Sequence, residues 1–389
     1  MECRMTVVWI NKRAWKHPGP IVNMSLRNAH SFATLGLSSH LFVGQGRQDD
    51  EAGQDLRGFY GLEPSPCLTV HRIPRRAVLL GNQSASISRA GVEFVERQSR
   101  QGPVALFTRE ASLLPQMAWI SRNRRIRTFY ELHDLYADLS WRPHRPRLRE
   151  LREKWLERLF LPCISGLVCI TREMEERYQR LFPGQATIAL PLGTEPRPPA
   201  DVEARRRART LFYVGHMHGA KGVSFMEQAA VLLAGHGVRT EFWGGYEKDA
   251  LRIRRAAEQK GLQSMIDAVP FRPPSELNAA LAARGSLGVV MLADTYYNRH
   301  LTCPVKALDY LSHGIPALGT GIPSVREVLD DAGHYVAEGD TTAFVQAALG
   351  LLDDPQAYAE AVRRAQQRAA QITWQERARA LVRFAAACG

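Results

Sequence analysis

Short runs of β-branched and apolar residues alternate with longer segments whose apolar positions recur every three to four residues, from one end of the chain to the other. In the first half this pattern predicts strands over Thr6–Ile10, His40–Val43, Leu68–Arg72, Val104–Thr108, Arg127–Glu131, Gly166–Ile170 and Thr187–Leu190. The amphipathic stretches Ile21–Leu35, Gly91–Gln101 and Arg147–Phe160 predict helices between them. Strands separated by helices pack as parallel sheets covered on both faces, so the fold class is α/β.

The segment Glu195–Arg209 is rich in Pro, Ala and Arg and lacks apolar periodicity, which predicts a hinge between domains. A second alternation follows, with strands expected at Leu211–Val214, Thr240–Trp243, Val269–Phe271, Leu287–Met291 and Ala317–Leu318. Two doubly wound, Rossmann-like domains are therefore expected, over residues 1–200 and 208–373. Three helices should close the chain, the last of them, over 374–389, crossing back onto the first domain. A length of 389 residues suits two domains better than one core.

Composition narrows the class. Hydrophobic residues make up 45% and charged residues 23%, as in globular proteins. The longest apolar run, Leu159–Ile170, is broken by Pro162 and too short to span a bilayer. Thr6–Ile10 runs directly into Asn11, Lys12 and Arg13, a first strand rather than the apolar region of a signal peptide, so a cytoplasmic location is expected. Six cysteines without a CxxC pair or a His/Cys cluster give neither a zinc site nor a disulfide framework.

The formal charge of +12 attracts phosphates, nucleic acid or anionic headgroups. Arginines cluster at 122–127, 142–149 and 205–209, a pattern that arginine on solvated faces would equally produce. No aromatic interleaving or nucleic-acid module accompanies them, so nucleic acid is not an expected partner. Peripheral association with the inner face of the membrane is.

Open parallel sheets bind ligands beyond the carboxyl ends of their strands. Leu211–Val214 runs into Gly215-His216-Met217-His218-Gly219-Ala220-Lys221-Gly222, a turn that permits close backbone approach and carries three potential cations suited to a diphosphate. A plain tight turn with a solvated Lys221 would read the same way. Between Thr302 and Pro316, Pro304 suits the first helical position, Thr302 or Cys303 a cap, and Gly314 a helix end, so the helix start, with Val305 beside it, would offer unpaired N–H groups to an anion. Lys306 and Asp309 stand three apart on one face, where Asp309 could take two ribose hydroxyls or simply pair with Lys306 at the surface.

These segments resemble the retaining family 4 glycosyltransferases of GT-B fold. Tyr213-Val-Gly215 through Lys221-Gly222 is similar to that family's strand and Lys-Gly loop. Pro304-Val-Lys-Ala-Leu-Asp-Tyr-Leu-Ser-His-Gly-Ile-Pro316 is similar to its donor helix, in the branch reading Pro-x-Lys-x-x-Glu-Tyr. Further matches fall at Tyr130–Asp134, Val168–Thr171, Leu190–Thr194 and Thr373–Trp374. Two positions depart from the pattern: His216 replaces the usual arginine, and Leu301 stands where the first of two glutamates is common.

The resemblance implies transfer of a sugar from a nucleotide diphosphate donor, a UDP or GDP sugar, to a glycan or lipid-linked acceptor, with retention and without a metal or other cofactor. Lys221, His216 and the helix start at Thr302 and Cys303 would stabilise the leaving diphosphate, Asp309 would hold ribose, and Phe271 would flank the base. His133, after a predicted strand, would orient the donor sugar with Asp134 in support. Arg109 is a similar candidate, and the loop bearing Lys16 and Gly19 should face the acceptor. The departures also admit a catalytically silent GT-B-like subunit, and the fold admits a non-hydrolysing sugar-nucleotide epimerase.

Overall fold

The computed structural model describes residues 5–17, 19–46, 52–74, 85–198, 200–217 and 222–388. Two all-parallel sheets form its framework. The first contains β1 (Thr6–Ala14), β2 (Ser39–Gly44), β3 (Leu68–Ile73), β4 (Val104–Thr108), β5 (Ile126–Leu132), β6 (Gly166–Cys169) and β7 (Thr187–Ala189), in the order β3-β2-β1-β4-β5-β6-β7. The second contains β8 (Thr210–Val214), β9 (Arg239–Trp243), β10 (Ile266–Val269), β11 (Leu287–Val290), β12 (Ala317–Thr320) and β13 (Gly333–Val336), in the order β10-β9-β8-β11-β12-β13. Strand order reverses beside β1 and again beside β8, and each reversal opens a crevice at the strands' carboxyl ends.

The central strands read as continuous apolar runs because helices cover both faces. Under the first sheet, Trp9, Phe107 and Phe129 form a stacked column with centroid spacings of 5.0 and 4.8 Å. The closing helix Trp374–Ala387 packs on this domain, placing Phe384 5.6 Å from Phe129. Its entry is tight: a Cβ on Gly193 would stand 2.5 Å from the Trp374 amide nitrogen. Arg377 anchors the helix by donating to Glu131, Asn28 and the Pro191 carbonyl.

Two expectations need correction, and one strand was not expected at all. The strand expected at Val269–Phe271 lies at Ile266–Val269, because Pro270 has no N–H to continue the ladder. The expected hinge Glu195–Arg209 contains a helix, Val202–Ala208, capped by the Asp201 carboxylate on Ala204 N at 3.0 Å. That helix is held by guanidinium groups rather than an apolar stripe: buried Arg205 donates to His313 O at 2.6 Å and Arg206 to Leu352 O at 2.6 Å. Strand β13 gave no signal above its surroundings. Among the described residues, no helix is long and apolar enough to cross a membrane.

Candidate active site

A cleft of about 300 Å³ lies between the two sheets, at the carboxyl ends of β1 and β8. Its second-domain wall begins where β8 ends. Gly215 adopts φ 134° and donates its N–H to the Trp243 carbonyl at 2.8 Å. Gly244, after β9, adopts φ 114°, and a Cβ there would lie 2.5 Å from the Gly215 carbonyl oxygen. The two loops therefore touch backbone to backbone, which only glycine allows. His216 sits edge-on to Phe271 with centroids 5.2 Å apart, and both line the cleft.

The helix Val305–Ser312 supplies the floor. Its Tyr310 is fully buried, accepts from Val214 N at 3.0 Å and donates to Phe212 O at 2.8 Å, which fixes the helix against β8. A Cβ on Gly288 would stand 2.4 Å from the Tyr310 ring, so β11 also needs a glycine for this approach. The residues Thr302 to Lys306 line the cleft, and Lys306 Nζ lies 4.2 Å above the Tyr213 ring. A Cβ on Gly215 would meet Lys306 Nζ at 3.7 Å, so the ammonium stands beside the β8 turn.

The expected cap at Thr302 or Cys303 is not what forms. Pro304 itself is the N-cap, with φ −72° and ψ 91°, and its side chain makes no capping hydrogen bond. A five-residue π-helix, Tyr297–Leu301, precedes it and leaves Thr302 extended. Cys303 is buried, which pushes its thiol up to about 12, so it serves as packing. A proline N-cap cannot satisfy the first amides through its side chain, which leaves them available to an anion in the cleft.

Asp309 projects from the next turn into the same cleft and is the sole carboxylate among its described lining residues. Burial raises it to about 6, against the opposing charges of Arg27 and Arg197. The first domain contributes Gly19, at φ 97° the N-cap of the helix Pro20–Thr34, together with His17, Asn23, Arg27 and the rings of Phe59 and Tyr60. Helix starts from both domains thus open into one space, surrounded by Arg27, Arg272 and Lys306.

Of the residues predicted from sequence, Gly19, Gly215, His216, Phe271, Thr302, Cys303, Pro304, Val305, Lys306 and Asp309 line this cleft. Lys221 lies outside the described residues. His133, Asp134, Arg109 and Lys16 are not in the lining. His133 Nε2 meets Glu131 Oε1 at 2.6 Å beyond the end of β5, and burial together with nearby Arg109 lowers the imidazole to about 4. Asp134 pairs with Arg142 at 2.8 Å, and Lys16 with Asp55 at 2.6 Å.

Sequence reasoning missed Asn23, Arg27, Tyr60, Trp243, Gly244 and Asn278 in the lining. Gly244 follows a predicted strand and was open to the same rule that found Gly215. Arg27 gave no signal, because one position on a helix face does not reveal which domain faces it.

Two family models match the chain: "Glycosyl transferase 4-like domain" over residues 21–193 and "Glycosyl transferases group 1" over 208–354. No curated protein sequence matches it. Among solved structures it is similar to Anabaena HepE in complex with UDP and glucose, at 15% identity, TM-score 0.67, covering 99% of this chain and 100% of that one. It is also similar to S. aureus TarM, crystallised with UDP and a glycosylated glycerol, at 9% identity and TM-score 0.73, covering 98% and 99%. The pneumococcal O-GlcNAc transferase GtfA, in complex with UDP and GlcNAc, gives 9% identity and TM-score 0.70 with 99% of each chain covered. Two facing parallel sheets, a cleft at their switch points and the two matching models together place the chain in the family 4 glycosyltransferases of GT-B fold.

Proposed function

We propose that the chain transfers a sugar, with retention and without a metal, from a UDP or GDP sugar to a glycan or lipid-linked acceptor in cell-surface polysaccharide or glycoconjugate synthesis, working in the cytoplasm. The observation that carries the donor reading is the convergence of Lys306, the Gly215 turn and Asp309 on one cleft. Breaking an anomeric carbon–phosphate bond leaves negative charge on the diphosphate and positive charge on the sugar. Lys306, His216, Lys221 and the helix start at Pro304–Val305 meet the first of these charges. Asp309 accepts ribose hydroxyls, and Phe271, held edge-on by His216, flanks the base.

On the first-domain side, Gly19 and the loop carrying Lys16 face the acceptor. His133 and Arg109 act on the donor sugar from the end of the first sheet, with Asp134 fixing the loop through Arg142. His133 lies deep enough to stay neutral across physiological pH, which suits a hydrogen-bonding role rather than a charged one.

One observation favours a second reading, a catalytically silent subunit that binds nucleotide sugar. Leu301, where a sugar-gripping glutamate is common, is fully buried in the apolar core, so the position offers the cleft no carboxylate. A panel of UDP-, GDP- and ADP-sugars, followed by nucleoside diphosphate release, separates the two. Release with one donor, abolished in Lys306→Ala and Asp309→Ala proteins that keep their melting temperature, supports the enzyme. No release with any donor or acceptor supports the silent subunit.

A further inference from the structure

The helix Leu148–Phe160 carries apolar residues on its outward face as well as its inward one. Surface helices ordinarily bury an apolar stripe and expose their charges. The inward face carries Leu156 and Phe160, which pack on the core, together with buried Glu153 and Glu157, the latter accepting from Ala137 N at 2.7 Å and Tyr178 Oη at 2.5 Å. The outward face carries Leu148, Leu151, Trp155 and Leu159, with relative exposures of 87, 38, 62 and 60%. On the neighbouring helix Leu114–Ile120, Trp119 is 64% exposed, with the Arg122 guanidinium 4.7 Å above its ring.

The exposed charge of this segment has one sign. Between Ser140 and Cys163 every carboxylate is turned inward or half-buried, whereas Arg145, Arg147, Arg149, Arg152 and Arg158 are exposed. The stripe from Leu148 to Leu159 runs about 17 Å at ~1.5 Å per residue. An outward apolar ridge of leucine and tryptophan flanked by exposed arginines of its own segment is the pattern of a helix lying in a lipid interface.

We propose that this face docks the protein on an anionic bilayer, with Leu148, Trp155 and Leu159 among the acyl chains and the arginines on headgroup phosphates. A second copy of the chain fits poorly, because a two-fold contact would set these arginines against each other. The docking face is tied to the cleft side of the molecule. Arg142 bridges Glu150, in the first turn of the helix, to Asp134, beside His133, at 3.0 and 2.8 Å. Trp141 stacks at 5.2 Å on Tyr296 of the second domain, so the interdomain seam lies at the start of the docked helix. An acceptor carried by a lipid then meets the enzyme in the plane of the headgroups. This placement deepens the lipid-linked acceptor class proposed above, while the docking itself is read without turnover.

The test is sedimentation of the full chain with vesicles of phosphatidylcholine alone and of phosphatidylcholine mixed with phosphatidylglycerol. The wild-type protein should pellet with the mixed vesicles and be released by high salt. Trp155→Ser with Leu159→Ser, and separately Arg145→Glu with Arg149→Glu, should each lower partitioning by roughly tenfold or more. Melting temperatures should not change, since these side chains are exposed. Leu232→Ser with Leu251→Ser, on the exposed surface of the second domain, should leave partitioning unaltered. The proposal is overturned if the mixed vesicles pellet no more protein than phosphatidylcholine alone, or if both variant pairs bind as the wild type does. It is equally overturned if the Trp155/Leu159 pair instead abolishes self-association in size-exclusion chromatography or binding to an acidic protein partner, with vesicle binding intact. Donor-panel turnover in solution, measured on the same variants, tests the donor reading separately.

Discussion

Replacing Arg377 with methionine should unclip the closing helix and disturb His133 at once. The Arg377 side chain is 2% exposed and donates to Glu131 Oε2 at 2.6 Å, Asn28 Oδ1 at 3.0 Å and Pro191 O at 2.9 Å, as well as to Leu190 O. It therefore joins β5, the first helix and the segment after β7 to the end of the chain. Glu131 is equally buried; burial alone would raise it, yet the His133 hydrogen bond and the Arg377 charge hold it at about 2. Methionine fills much of the volume but leaves that carboxylate and three oxygens without their donor. Removing one member of a buried pair costs about 3–5 kcal/mol. For a domain of this size that amounts to a fall in melting temperature of roughly 6–20 °C. Thermal melts followed by circular dichroism measure it. The second readout is the titration of His133 by NMR: Arg377 is one of the charges that depress the imidazole, so its loss should move His133 up from about 4. Adding Glu131→Gln to Arg377→Met should recover part of the stability, because no buried charge is then left uncompensated. A fall of less than ~2 °C, the equivalent of under 1 kcal/mol, or an unmoved His133 titration would refute the reasoning.

Asp309→Asn should weaken UDP or GDP binding roughly tenfold or more, the worth of one charge-assisted hydrogen bond, as measured by calorimetry. Because burial raises Asp309 to about 6, wild-type affinity should also fall as pH drops through that value, and the asparagine variant should lack this dependence. Glu157 is raised to about 8 by burial, so the stability of its neutral form is complete below the ordinary value near 4.5 and is lost as pH rises through 8. In urea unfolding, Glu157→Gln should therefore gain on the wild type as pH rises from 4.5 to 8, and a constant difference would show that the carboxyl is not held neutral.

Hydrophobic periodicity is a local property, and it determined the alternation of strands and helices, the α/β class and most strand positions. The β8 turn and the Pro304 helix were legible for the same reason: glycine, proline and a lysine–aspartate spacing carry their meaning within a dozen residues. Even Pro270, which ends β10, was visible in the chain, though the apolar run around it masked the boundary.

Tertiary structure decided what no local pattern contains. Arg27, Tyr60 and Asn278 reach one cleft because two switch points face each other across the domains, and the pairing of separate sheets leaves no periodic trace. The Val202–Ala208 helix is stabilised by guanidinium groups reaching distant carbonyls, contacts that apolar spacing cannot announce. Amphipathicity predicted the helix Leu148–Phe160 but not which of its faces turns inward. The helix has apolar residues on two faces: Leu156 and Phe160 pack on the core beside Glu157, which Tyr178 Oη and the Ala137 amide hold inward, and Leu148, Leu151, Trp155 and Leu159 are left outside.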